Sequence, residues 1–223
     1  MKPAAAASPA AYYAVMGATL GRYRSLGPVV AGGWDAYVEL GDEPDSLERA
    51  VLGGARWLSW GQGPTVPGCL RVTAGTGADI ATAATAALAI IEALEHAGIL
   101  VVPAVENAVG LLLYLQPATP QWGSAAALAE RAPEIATVDP AASDGRALLV
   151  ELDPAAPIPL PYSLVDGPDG ITAVMPVTVD EIAAMTAGMP VDPAPEVVLD
   201  RLTAEGDLAS GLLADAPQEG TTA

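Results

Sequence analysis

At 223 residues the chain is long enough for one large domain or two small ones with a substantial core. Twenty-seven acidic residues face nine basic ones, and Lys2 is the only lysine. The net charge of -18 therefore opposes the phosphate neutralisation on which nucleic-acid binding depends. A single cysteine, Cys69, excludes an intrachain disulfide and a CxxC metal site, and the single histidine, His96, reads as a structural cap rather than as the placed base that triad chemistry needs.

The core must be built from Ala, Val, Leu and Ile, because Phe is absent and the apolar fraction is 52%. The Ala- and Pro-rich, Lys-poor composition fits a GC-rich bacterial genome. Residues 1 to 9 read as disordered, residues 10 to 213 as one domain, and the acidic tail from 214 to 223 as loose. "AAYYAVMGATL" places Tyr12, Tyr13, Met16 and Leu20 at helical spacing. A short strand is expected from Trp34 to Leu40, and a helix from about Ser46 behind a Pro-Asp-Ser cap. "GQGPTVPG" is a loop.

The stretch "LRVTAGTGADIATAATAALAIIEAL" reads as strand, glycine turn and helix, with the strand from Cys69 to Thr73 and Asp79 as N-cap of a helix running to about His96. Gly98 ends that helix, and His96 there suits its C-terminal dipole. Strands follow from Ile99 and from Gly110, with Glu106 and Asn107 at the turn between them. A helix capped by Ser124, a strand in "GRALLVEL", a Pro-Asp-Gly hairpin and two helices, "TVDEIAAMTAGM" and "APEVVLDRL", complete the chain. No signal peptide is evident, and the most apolar helix is too short for a membrane span, so a cytoplasmic protein is expected.

The turn Gly75-Thr76-Gly77 fails as a phosphate cradle. The third glycine of G-x-G-x-x-G is Ile80, no G-K-[ST] lysine is present, and Asp79 would compete with a phosphate for the helix amides. Cys69 lies in an apolar stretch and reads as an inert buried thiol. Arg22/Arg24 and Arg49/Arg56 are the two candidate basic patches, and both read as ordinary solvated arginines.

Read as a whole, the chain resembles the polymerase domain of bacterial ligase D, the primase-like polymerase of non-homologous end joining. "LPYSLVDGPDGITAVMPVTVDEI" is similar to that family's A-P-Y-S-[LV]-R block, hairpin and P-[LV]-x-W-[DE]-E-[LV] helix start. "VVLDRLTAEGDLASGLL" is similar to its closing V-x-x-R-L-x-x-x-G-D segment, and "AAYYAVMGATL" to its early D-Y-Y-x-x-V-A-x-x-L helix. The resemblance implies an α+β fold, with mixed or antiparallel sheets and packed helices. It also implies a scaffold role for Gly75, Gly77, Gly110, Pro161, Tyr162 and Ser163.

The same resemblance locates what is missing. The family's F-D-L-D-P-G-x-G carries two metal-holding aspartates, and here those positions are Arg71 and Thr73. Its third metal aspartate falls on Glu151. Its S-G-x-K-G-L-H phosphate segment becomes Glu106, Val109 and Leu112 at the Ser, Lys and His positions, and the arginine after PYS[LV] becomes Val165. A cation and a hydroxyl do not gather divalent metals as carboxylates do. The expected function is thus a catalytically inactive, accessory or protein-binding module linked to DNA repair, with no metal or other cofactor, weak or absent DNA binding, no membrane and an unidentified protein partner. The alternative is a divergent, active polymerase whose metals rest on Glu106, Glu151 and Asp153. An unrelated enzyme would need a nucleophile-base pair, which Cys69 and His96 do not supply. Positions 71, 73 and 151 are expected side by side on the sheet, with Arg71 and Glu151 forming an ion pair.

Overall fold

The computed structural model describes residues 8–32, 37–41, 45–52, 55–61, 66–75, 79–96, 98–115, 148–151, 157–167 and 170–213, the backbone alone at 37–39, 148–151 and 167. The expected helix capped by Ser124, the terminal segments 1–7 and 214–223, Thr76, Gly77 and Asp153 lie outside these residues.

Helix α1 (Pro9–Arg24) begins where Ser8 accepts a hydrogen bond from the Ala11 amide and Pro9 supplies a ready-made first turn. Tyr12, Tyr13, Met16, Leu20 and Tyr23 form its buried stripe, as their spacing predicts. Arg22 and Arg24 sit in the last turn, where cations complement the helix dipole.

A first, antiparallel sheet is built from β1 (Val29–Gly32), β2 (Tyr37–Glu39), β3 (Trp57–Trp60) and β8 (Ile158–Pro159), in the order β2-β1-β3-β8. Helix α2 (Ser46–Leu52) lies between β2 and β3 and packs on α1. Two features differ from the sequence reading. The expected strand 34–40 is seen as strand at 37–39 and has ended by Leu40, with 34–36 outside the described residues, and the strands β1 and β3 were not anticipated. Both are four-residue segments, too short for periodicity to declare. β3 is fixed by tertiary contacts instead. Trp60 is fully buried, its indole N–H donating to the Tyr23 carbonyl at 2.8 Å. Trp57 stands opposite Gly32, where an added Cβ would come within 2.0 Å of the indole nitrogen.

The second sheet runs β11-β5-β6-β4-β7, all antiparallel: β4 (Gly68–Ala74), β5 (Val101–Asn107), β6 (Gly110–Leu115), β7 (Leu148–Glu151) and β11 (Met175–Pro176). Helix α3 (Ile80–His96) packs on its central strands, burying four alanines at 83, 84, 86 and 87 with Ile90, Ile91 and Leu94. Alanine adds no bulk and so lets helix and sheet approach closely. Asp79 caps the helix through Thr82, and Gly98, at φ +75°, ends it. His96 bonds back to the Glu92 carbonyl at 2.7 Å.

The hairpin of β9 (Leu164–Gly167) and β10 (Gly170–Ala173) leads into α4 (Val179–Thr186) and α5 (Pro195–Glu205), and a 3-10 turn at Ser210–Leu213 closes the described chain. Thr178 and Glu181 form a reciprocal capping box at the start of α4. Arg201 of α5 then ties the helices together, bonding Glu181 and, at 2.9 Å, Glu205. Burial alone would raise the Glu181 pKa, but the bonds from Arg201 and Thr178 outweigh it and hold the carboxyl below its ordinary 4.5. The sign follows: the contribution is complete above about that pH and is lost as pH falls through the lower folded-state value. Glu181→Gln should therefore cost up to about 1 kcal/mol at neutral pH, the pair being partly solvated, and nothing in strong acid. Denaturant titrations of both proteins at several pH values check this; a difference independent of pH would contradict it.

Candidate functional site

Strand β4 alternates along its length. Leu70, Val72 and Ala74 are buried, while Cys69, Arg71 and Thr73 lie half-buried on the other face. In register, Arg71 stands between Leu112 of β6 and Glu151 of β7, and Thr73 between Gly110 and Leu149. Positions 71, 73 and 151 are thus neighbours on the sheet, as expected from the motif order.

Arg71 has a partner that the sequence reading did not name. Its guanidinium makes a two-pronged pair with Glu106 of β5, Nε donating to Oε2 at 3.0 Å and Nη2 to Oε1 at 2.9 Å. Glu151 faces Arg71 through the backbone register, and its side chain lies outside the description. The pair with Glu106 crosses an intervening strand, about 10 Å by ordinary sheet spacing. Gly110 makes that crossing open: a Cβ there would sit 3.3 Å from Glu106 Oε2.

Glu106 was expected in a turn but is the sixth residue of β5, 8% exposed, at a register irregularity between Val105 and Asn107. The turn falls on Ala108 and Val109, where the Asn107 side chain accepts from the Val109 amide at 3.0 Å. Val109 is partly buried against the core, and Leu112 is fully buried. Neither position offers a cation or a polar group to a ligand.

A cleft of about 360 Å³ opens between the two sheets. Trp57 and Ser59 of β3, Pro157 and Pro159 at β8, and Val165 and Asp166 of β9 line it together with Arg71 and Glu106. Of the residues singled out from the sequence, the cleft therefore gathers Arg71, Glu106 and Val165; Thr73 and Glu151 adjoin them on the sheet. Arg56 pairs with Asp166 at 3.9 Å. Among the described residues no three His, Cys, Asp or Glu side chains are grouped as a metal would require. Cys69, on the same strand, is unreactive: burial pushes its thiol up to about 12, against a smaller opposing pull from Arg71.

The remaining arginines of the two candidate patches are engaged within the chain. Arg22 pairs with Asp207 at 2.8 Å, Arg24 bonds the Gly41 carbonyl and Ser46, and Arg49 pairs with Asp45 at 3.3 Å.

The retained motifs have a different physical role from the altered ones. Tyr162 holds φ at +66°, a left-handed conformation costly for a bulky residue, and surrounding bonds enforce it. Its carbonyl accepts from Tyr12 at 2.8 Å, its amide donates to Val174, and its hydroxyl donates to Asp207 at 2.9 Å. Ser163, fully buried, accepts from the Leu58 amide, and Tyr13 bridges the Arg56 carbonyl and the Leu164 amide. Asp207, from the closing Gly-Asp of the chain, collects Tyr23 at 2.6 Å, Tyr162, the Ala209 amide and Arg22. These motifs lash the first helix, β3, the hairpin and the C-terminal turn together. Asp207 and Trp57 were not singled out from the sequence; the Gly-Asp of the closing segment was the available signal for the first.

Burial raises the pKa of Tyr12, Tyr13, Tyr23 and Tyr162 well above 10, with the Asp207 carboxylate reinforcing the rise for the last two. Their stabilising contribution is complete below the ordinary value of about 10 and is lost as pH rises beyond it, because only the unfolded chain ionises there. Tyrosinate absorbance should then appear together with loss of circular dichroism; buried tyrosines ionising near pH 10 in a folded chain would contradict this.

The fold is thus two antiparallel sheets with helices packed on them and a cleft between. In structure the chain is similar to the polymerase domain of Mycobacterium tuberculosis Ligase D, solved in complex with DNA, with a TM-score of 0.73 over 93% of this chain and 92% of that one, at 20% sequence identity. That likeness establishes the fold. No protein-family model matches the sequence, and no curated protein matches it.

Proposed function

We propose that this is a polymerase-fold protein that has lost nucleotidyl transfer and acts as an accessory, protein-binding module linked to DNA repair. The observation that carries the reading is the seat of Arg71. Its guanidinium lies in the cleft where the resemblance puts a metal-holding aspartate, already neutralised by Glu106. A fixed cation there repels a divalent metal, and one of the carboxylates that could hold one, Glu106, is already paired. The phosphate-contacting positions supply only Val109, Leu112 and Val165. The link to DNA repair rests on likeness of fold.

The surface charge supports the same reading. A net charge of -18 repels DNA over roughly a Debye length, about 8 Å at physiological salt, and does so more strongly as salt falls. It suits a partner with a complementary basic face. No helix among the described residues is long and apolar enough to cross a membrane, in keeping with action in the cytoplasm.

Two titrations test the proposal. Calorimetry with Mn2+ should show no saturable binding, and duplex DNA should bind no better at low salt than at high. Mn2+ binding abolished by Glu151→Ala, or DNA affinity rising steeply as salt falls, would favour a divergent polymerase instead.

A further inference from the structure

We propose that the cleft between the sheets binds a small, uncharged, planar ring compound and discriminates against phosphorylated ones. The proposal rests on the functional reading above, since it assumes that no metal draws phosphates to the site.

Size comes first. About 360 Å³ is at the lower end of ligand pockets, enough for a fused ring system with one substituent. Half of the described lining residues are apolar and rigid. Trp57, Pro157, Pro159 and Val165 carry few rotatable bonds, and Trp57 is further held by its close approach to Gly32, which leaves no room for a side chain beneath it. A ring that stacks on a pre-set indole loses little freedom beyond its own.

Charge decides the class. Arg71 in the cleft faces Glu106 at 2.9 Å, and Asp166 in the cleft faces Arg56 at 3.9 Å. An incoming phosphate would have to take Arg71 from a two-pronged partner and would leave that carboxylate, 11% exposed, without its cation. An uncharged ring disturbs neither pair.

The test compares caffeine, adenosine and ATP by calorimetry on the full chain, each with and without Mn2+. Caffeine and adenosine should bind alike, unaffected by Mn2+, with ATP at least tenfold weaker. Trp57→Ala should weaken binding of the neutral probes by roughly 5- to 100-fold, the range of a lost stacking contact. Because that change also removes packing on Gly32, Val165→Arg serves as a second variant: an added cation at this partly buried position should raise ATP affinity, with circular dichroism checking that the variant is folded. ATP binding tighter than adenosine in the unaltered protein, no binding by any probe, or affinities indifferent to both substitutions would overturn the proposal. ATP binding that requires Mn2+ would count against the functional reading as well, whereas silence from all three probes would sink the ligand alone.

Discussion

Asp207→Ala should lower the unfolding temperature by roughly 6–20 °C, the largest loss expected from any single change here. The carboxylate is 8% exposed and receives Tyr23, Tyr162, the Ala209 amide and Arg22. Its removal leaves two buried hydroxyl donors and an amide without their acceptor. Bonds to a buried charge are worth about 1.5–3 kcal/mol each, but the losses are not additive and Arg22 is half in solvent, so about 3–5 kcal/mol in total is reasonable. For a chain of this size each kcal/mol moves the midpoint by about 2–4 °C. Asp207→Asn keeps an acceptor and the shape, and should lose about half as much. Thermal unfolding by circular dichroism decides it. A midpoint unchanged in Asp207→Ala would mean that the convergence of tyrosines on this residue carries no stability.

Arg71→Ala should cost about 2–4 kcal/mol, because it strands the Glu106 carboxylate with 11% of its side chain exposed. Arg71 is itself 36% exposed, which places the cost below that of a fully buried pair. The double variant Arg71→Leu with Glu106→Leu should recover most of the loss, since a hydrophobic replacement of both partners leaves no uncompensated charge. A double-mutant cycle reads the coupling directly, about 1–3 kcal/mol for a two-pronged contact. Strictly additive single effects would show that the pair is an incidental contact.

How far the sequence disclosed this arrangement depends on the range of the forces involved. Helices α1, α3, α4 and α5 were legible because their caps and buried stripes are local. So was β4, whose alternation is carried by its own residues. Strands β1 and β3 were not: four residues beside Pro28 or between Arg56 and Gly61 show no period, and Trp57 and Trp60 are placed by Gly32 and Tyr23 from other elements. The adjacency of positions 71, 73 and 151 followed from motif order alone. The pairing of Arg71 with Glu106 did not. It depends on the order β5-β6-β4 and on Gly110 clearing a path across the middle strand, a consequence of sheet topology that spacing does not encode. Glu106 was placed in a turn because Asn107 and Gly110 are turn residues, yet the irregularity after Val105 keeps it in the strand and aims it at the cleft.

The central claim is that Arg71, paired with Glu106, has taken the place of two-metal chemistry. Primer extension on a templated duplex, with Mn2+ and all nucleotides at low salt, tests it most directly. The account predicts no extension above a protein-free control, however much of the protein is added. Template-dependent extension that Glu151→Ala abolishes would contradict it.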